Sequence, residues 1–152
     1  MKIDKALREE TQDLLLSYKI KKIEIMNLEL EIEDLIAEVD GVKAVQYRES
    51  TSKTYKFNSS VENEILERES EINKMLKEKR KKEILIEKVD NAMNSLNKDE
   101  RDIIELRYFN KESWNTIGAT INKDANYCGK LGRIAINKIS KLIWLRKSCV
   151  SL

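Results

Sequence analysis

The sequence predicts an all-α protein with a long, coiled-coil-like helical hairpin in residues 1–95 and a helix-turn-helix domain in residues 96–152. Proline is absent, and only four glycines interrupt the 152 residues. Charged residues make up 37% of the chain and aromatic residues 6%, a composition that favours long solvated helices over β-sheets. Two long stretches repeat apolar residues at alternating spacings of four and three, which is the period of helices that pack together.

The first predicted helix carries an apolar stripe from Leu14 to Val39. Asp40-Gly41 should end this helix, because glycine readily takes the left-handed conformation of a helix C-terminus. Residues 42–60 are polar, lack a helical period and are predicted to form a loop. The stripe consists of Leu14, Tyr18, Ile25, Leu28, Ile32, Leu35 and Val39, and it is widened by Ile20, Ile23 and Leu30.

The second predicted helix begins near Asn58-Ser59-Ser60, whose side chains can cap a helix N-terminus. The charge run from Lys77 to Glu83 fits either a nucleic-acid-binding arm or a solvated helix face, and we favour the solvated face. Neither helix can bury its stripe alone, so we expect the helices to pair with each other, with a second protomer, or with both. The second stripe consists of Val61, Ile65, Ile72, Met75, Ile86, Val89, Met93 and Leu96.

The C-terminal domain begins at Leu96-Asn97. Asn97 is a predicted helix cap, and Glu100 follows three residues later, as in a capping box. Ser113 should cap the helix WNTIGATI. Asn122 should turn the chain in the left-handed conformation, and Asp124 should cap the last helix. Two short helices joined in this way bury a small set of residues against a third helix. The predicted inward set is Ile117, Ile121, Cys128, Leu131, Ala135 and Ile139.

Positive charge is concentrated in the C-terminal part of the chain, which contains this last predicted helix. Residues 1–95 hold 18 Lys/Arg against 21 Asp/Glu, whereas residues 96–152 hold 11 against 6. Amide and cationic side chains are the groups that bond DNA bases and phosphates. Each candidate also fits an ordinary surface position, and Tyr127 also fits packing on its neighbours. The candidate DNA-binding residues are Lys123, Asn126, Tyr127, Lys130, Arg133, Lys138 and Lys141.

The stretch from Leu96 to Leu142 resembles the fourth conserved region of bacterial sigma factors. It carries that region's acidic start as Asp99-Glu100-Arg101, its LRY run as Leu106-Arg107-Tyr108, and its Ile-Gly pair as Ile117-Gly118. With the N-terminal hairpin, and with ESWNTIGATI after RYF, the chain is similar to small helical phage regulators of the RinA/ArpU type. The resemblance implies a sequence-specific DNA-binding transcription regulator, encoded by a phage or prophage, that acts at promoters with RNA polymerase.

Glycines mark the main departure from that family. Its recognition helix is rich in Arg and Lys, whereas here Gly129 and Gly132 occupy two positions, at a combined cost of about 2 kcal/mol in helix propensity. The two glycines fit either a close approach of another group to the helix backbone or a helix that binds DNA weakly and by induced fit. Gly118 costs about 1 kcal/mol in the preceding helix, and we expect it to permit a close approach of the crossing helices.

Other residue types narrow the function classes. Histidine is absent, and Cys128 and Cys149 lack the spacing of a zinc site, so we expect no metal, no cofactor and no enzymatic activity. The charged N-terminus and the lack of a long apolar run predict a cytoplasmic protein without a membrane segment. The expected partners are double-stranded DNA, RNA polymerase and a second protomer. Two alternatives stay open: a small-terminase-like DNA-packaging subunit, and a coiled-coil adaptor that binds RNA polymerase without contacting DNA.

Overall fold

A computed structural model describes residues 3–50 and 59–150, and these residues contain helices and no strand. The all-α prediction is therefore confirmed for this part of the chain. A π-helical segment, Glu105–Phe109, directly follows the fourth α-helix. The α-helices are α1 (Lys5–Leu16), α2 (Tyr18–Ser50), α3 (Ser59–Asn94), α4 (Lys98–Ile104), α5 (Trp114–Ile121), α6 (Ala125–Ile143) and α7 (Leu145–Val150).

The helices form two compact units whose division differs from the boundary predicted at residues 95 and 96. Unit 1 takes its described residues from Met1–Lys22 and Ile84–Leu152, and unit 2 is drawn from Ile23–Glu83. The reason is burial, because α1 and the end of α3 supply apolar side chains to the same core as α6. That core contains Leu14, Leu15, Val89, Ala92, Met93, Leu96, Ile104, Tyr108, Ala135, Ile136, Ile139 and Ile143.

A buried polar contact joins α1 to the end of α6 inside unit 1. The Thr11 hydroxyl donates to the carbonyl oxygen of Leu7 at 2.7 Å. Its oxygen then accepts from the Ser140 hydroxyl at 2.7 Å and from the indole Nε1 of Trp144 at 2.9 Å. Since every one of these groups finds a partner, the contact orients α1 on α6 without leaving a buried donor unpaired.

Unit 2 contains the contacts between α2 and α3. Its core is small, with Ile32, Val39, Ile65 and Ile72 buried. The polar residues that interrupt the α3 stripe form ion pairs with acids of α2, which explains why they are tolerated there. These pairs are Lys82 with Glu24 at 2.6 Å, Lys79 with Glu29 at 3.5 Å, and Arg68 with Glu38. The residue numbers of the pairs run in opposite directions along the two helices.

Three details of the predicted first helix are wrong. The helix is interrupted at Ser17, so that two helices, α1 and α2, take the place of the single predicted one. Helix α2 continues through Gly41 to Ser50 instead of ending at Asp40-Gly41, because partly buried Val42 extends the inward stripe past the glycine. The rest of the predicted loop, 51–58, lies outside the described residues, as does the Asn58 cap. The third detail is the widened stripe, because Ile20, Ile23 and Leu30 are exposed.

Candidate nucleic-acid interface

The segment from α5 to α6 turns as the sequence predicts. The Ser113 hydroxyl accepts from the backbone N–H of Thr116 at 3.2 Å and caps α5. Asn122 ends the helix with φ 58° and ψ 47°, which confirms the left-handed conformation. The next residue, Lys123, donates its backbone N–H to the carbonyl oxygen of Gly118 at 2.9 Å. These bonds fix the direction in which α6 leaves the turn.

Gly118 lies where the backbone is most crowded. A Cβ atom at this position would lie 2.7 Å from the carbonyl oxygen of Lys123 and 3.3 Å from the backbone nitrogen of Ala125. The expected close approach is therefore present, although its partners are the turn and the first residue of α6 and not the middle of a crossing helix. The contact explains why a residue that weakens α5 stands here.

The inner face of α6 packs against α4 and α5. Ile103, Ile117 and Cys128 form a buried cluster, with Leu106, Trp114, Ile121 and Leu131 packed against it. Burial raises the pKa of the Cys128 thiol, so this cysteine stays neutral and acts as a packing residue. Ala135 and Ile139 are fully buried in the larger core. The predicted inward set is confirmed, because each member is buried or packed on a core cluster.

Gly132 also has a packing role. A Cβ atom there would lie 2.8 Å from the tip of the Trp114 indole, so glycine makes room for this ring against α6. Gly129 differs, since no atom lies within 4 Å of a Cβ added to it. Asp124 is at the N-cap of α6 with extended backbone, but its side chain makes no capping hydrogen bond. The residue is in the predicted position without the predicted bond.

The outer face of α6 gathers most of the candidate DNA-binding residues. Asn126, Lys130 and Arg133 are exposed on successive turns of its N-terminal half. Tyr127 is 47% exposed, and the Lys123 ammonium lies 5.9 Å from the centre of its ring. Lys141 is exposed on the last turn. Six of the seven candidates therefore line α6 and the turn before it with free polar or cationic surface, as bonding to a nucleic acid requires.

Lys138 is the exception, because a carboxylate already holds its ammonium. Lys138 Nζ lies 2.6 Å from Oε1 of Glu100, which is 2% exposed, while the Lys138 side chain is 50% exposed. Oε2 of Glu100 is buried and has no hydrogen-bond partner among the described residues. Asn97 caps α4 by accepting from the Glu100 N–H at 2.9 Å, so the predicted cap is confirmed. The reciprocal half of the capping box is absent, because Glu100 reaches Lys138 instead.

Three residues that were not among the predicted site residues, Arg107, Lys111 and Trp114, line the same groove as Arg133. Arg107 places its guanidinium 4.8 Å from the Trp114 ring centre and donates from Nη1 to the carbonyl oxygen of Glu112 at 3.0 Å. Lys111 has a φ of 58°, which is uncommon for a residue with a long side chain. The LRY motif could have drawn attention to Arg107, but neither the conformation of Lys111 nor its place in the same groove as Arg133 has a sequence signal.

The chain matches no protein-family model, no curated protein and no solved structure. Within residues 3–50 and 59–150, no cluster of three or more Cys, Asp and Glu side chains is arranged to hold a metal ion. Over the same residues, every helix is too short or too polar to cross a lipid bilayer.

Proposed function

We propose that this protein is a sequence-specific DNA-binding transcription regulator whose recognition element is the helix-turn-helix formed by α5, the Asn122 turn and α6. On this proposal it is a phage or prophage regulator of the RinA/ArpU type that acts at promoters with RNA polymerase. One observation carries the proposal. Helix α6 is fixed by buried residues on one side and presents amide, cationic and aromatic side chains on the other.

The geometry supports DNA as the ligand in two ways. Asn126, Lys130 and Arg133 occupy consecutive turns of one face, and a helix that lies in the major groove reads bases with such a face. Lys123 and Lys141 lie beyond the two ends of this row and carry charge without an acidic partner among the described residues. Cations at these places suit the phosphate backbone, whereas the central residues suit base edges.

A salt titration of binding to promoter DNA tests the proposal. With about four phosphate contacts per protomer, log K should fall with log salt at a slope of roughly −3 to −4. Lys141→Gln should reduce the slope by about one and weaken binding to all sequences alike. Asn126→Ala should instead reduce the preference for the specific site by about 1–3 kcal/mol.

Lys74→Gln is the matched control, because Lys74 is an exposed lysine of α3 in unit 2. It should leave both the slope and the preference unchanged. Affinity that does not vary with salt, or that is undetectable at low salt with every promoter region tried, would refute DNA binding. A genome-wide footprint confined to a packaging site would instead support the packaging subunit.

We also propose that the regulator is a homo-oligomer that associates through unit 2. Ile23, Met26 and Leu30 are 56%, 63% and 62% exposed on neighbouring turns of α2, on the side away from its buried stripe. An apolar row of this kind is typical of a helix that packs against a further helix. Sedimentation of the full chain should show an oligomer, and Leu30→Glu should shift it toward the monomer.

The coiled-coil adaptor is the second candidate, and one observation favours it. Ile134, Leu142 and Leu145 are exposed on the C-terminal half of α6 and on α7. Apolar side chains next to lysines suit a protein surface better than a phosphate backbone. If RNA polymerase retains the protein when DNA is absent, and Ile134→Glu abolishes this retention while no DNA binding is detected, the adaptor function is correct.

A further inference from the structure

A groove of about 550 Å³ opens on unit 1 between α1, the π-helical segment, the start of α5 and α6. Its lining includes Arg107, Lys111, Trp114, Gly129 and Arg133, together with Asp13 of α1. We call it the Trp114 groove. Its volume lies within the range of small-molecule sites in proteins.

The groove carries an excess of positive charge. Three of its lining residues are cations, and Asp13 is the one acid among those that the structure describes there. The contacts to Trp114 and Glu112 already fix Arg107. Lys111 and Arg133 have no ion pair among the described residues. Two unpaired cations that line one groove with a fixed guanidinium form a surface that attracts an anion.

Gly129 leaves the backbone of α6 open toward the groove. Glycine weakens the interior of a helix, and Gly132, one turn away, compensates by admitting the Trp114 ring. Gly129 makes room for no neighbouring side chain, because the space beside it is the open groove. The left-handed Lys111 and Arg107, which lies in the π-helical segment, also line the groove. Local irregularities of these kinds occur frequently at functional sites.

We propose that the Trp114 groove binds a phosphate-bearing ligand of mononucleotide size. Arginine and lysine would hold the phosphate, and the open backbone at Gly129 would let the rest of the ligand lie against α6. Phosphate of this kind comes either from a free nucleotide or from a phosphodiester of DNA. Only the DNA source rests on the proposed function. With a free nucleotide, the ligand would hold Arg133 in the groove and withdraw it from the outer face of α6.

The test is an NMR titration of the ¹⁵N-labelled full chain with AMP, with pyrophosphate and with a short DNA duplex. The chain has two tryptophans, of which Trp114 lines the groove and Trp144 bonds to Thr11. We expect AMP or pyrophosphate to shift the Trp114 indole and Gly129 amide signals and to leave the Trp144 indole signal in place. If only the duplex shifts the Trp114 indole signal, and Lys111→Asn abolishes that shift, the phosphate comes from DNA.

Two variants decide whether the groove is responsible. Gly129→Ala fills open space, so it should preserve folding and still weaken the binding about tenfold or more. Lys111→Asn removes the charge with a residue that tolerates the left-handed conformation, and it should weaken binding about tenfold. Gly41→Ala is the matched control, because it adds the same methyl group in open space on α2 and should not change binding.

The outcomes separate this inference from the proposed function. If Gly129→Ala binds as tightly as the unaltered protein, or if no probe shifts the Trp114 signal, the groove is not a phosphate site. A duplex that binds through α6 while the groove signals stay in place overturns the inference and leaves the regulator intact. AMP that binds in the groove when no duplex binds at all supports the inference and refutes the DNA-binding function.

Discussion

Removing the Lys138 ammonium should destabilise unit 1, because the buried Glu100 carboxylate would lose the one cation that contacts it among the described residues. Breaking a fully buried ion pair by removing one partner costs about 3–5 kcal/mol. Lys138 is 50% exposed, so water can replace part of the contact. We therefore expect Lys138→Gln to lower the free energy of unfolding by about 1–3 kcal/mol. Replacing both partners, as Glu100→Gln with Lys138→Gln, should recover at least half of this loss, because no buried charge remains.

Urea unfolding followed by tryptophan fluorescence measures this effect, because both tryptophans lie in unit 1. Lys141→Gln is the control. It removes an exposed lysine one turn later and should change stability by less than about 0.5 kcal/mol. Lys138→Gln with the stability of the unaltered protein would refute the reasoning, as would a double variant no more stable than the single one. Glu100→Gln alone should release Lys138 and, if DNA binds, steepen the salt slope by up to about 0.9.

Substitutions at four further positions test the turn, the packing of two glycines and the core. Asn122→Val should lower the free energy of unfolding by about 1–2 kcal/mol more than Asn122→Gly, because valine disfavours a positive φ. Equal stabilities of the two variants would contradict this. Gly118→Ala would place a methyl group 2.7 Å from a backbone carbonyl oxygen and should lose about 1–2 kcal/mol. In contrast, Gly41→Ala adds a methyl group in open space and should raise the free energy of unfolding by about 0.5–1 kcal/mol. Thermal unfolding measures both variants. If both alanines stabilise the protein, or both destabilise it, the packing argument is wrong. Thr11→Val should lower the free energy of unfolding by about 1–3 kcal/mol, because it removes the buried hydroxyl that bonds to Ser140 and Trp144. An unchanged urea midpoint would count against these bonds.

The sequence by itself determined the helical class and most of the local geometry of the candidate site. Composition and apolar period are properties of the chain alone, and they predicted helices and the inward residues of α3 and α6 correctly. Caps at Asn97 and Ser113 and the left-handed Asn122 followed from local backbone chemistry. Bonds between neighbours in the chain need little tertiary information, so sequence reasoning finds them.

The tertiary structure decided which distant segments share a core and which cations remain free. Helix α1 packs against α6 through contacts such as the hydrogen bond between Thr11 and Ser140. No local sequence pattern predicts a bond between residues so far apart in the chain. Lys138 and Lys130 are both lysines of α6 and cannot be told apart from the sequence, yet only Lys138 lies against the buried carboxylate of Glu100. Arg107, Lys111 and Arg133 likewise come from separate segments to line one groove. Sequence spacing cannot fix such meetings, because they depend on how the helices cross, which is set by the packing of the whole core.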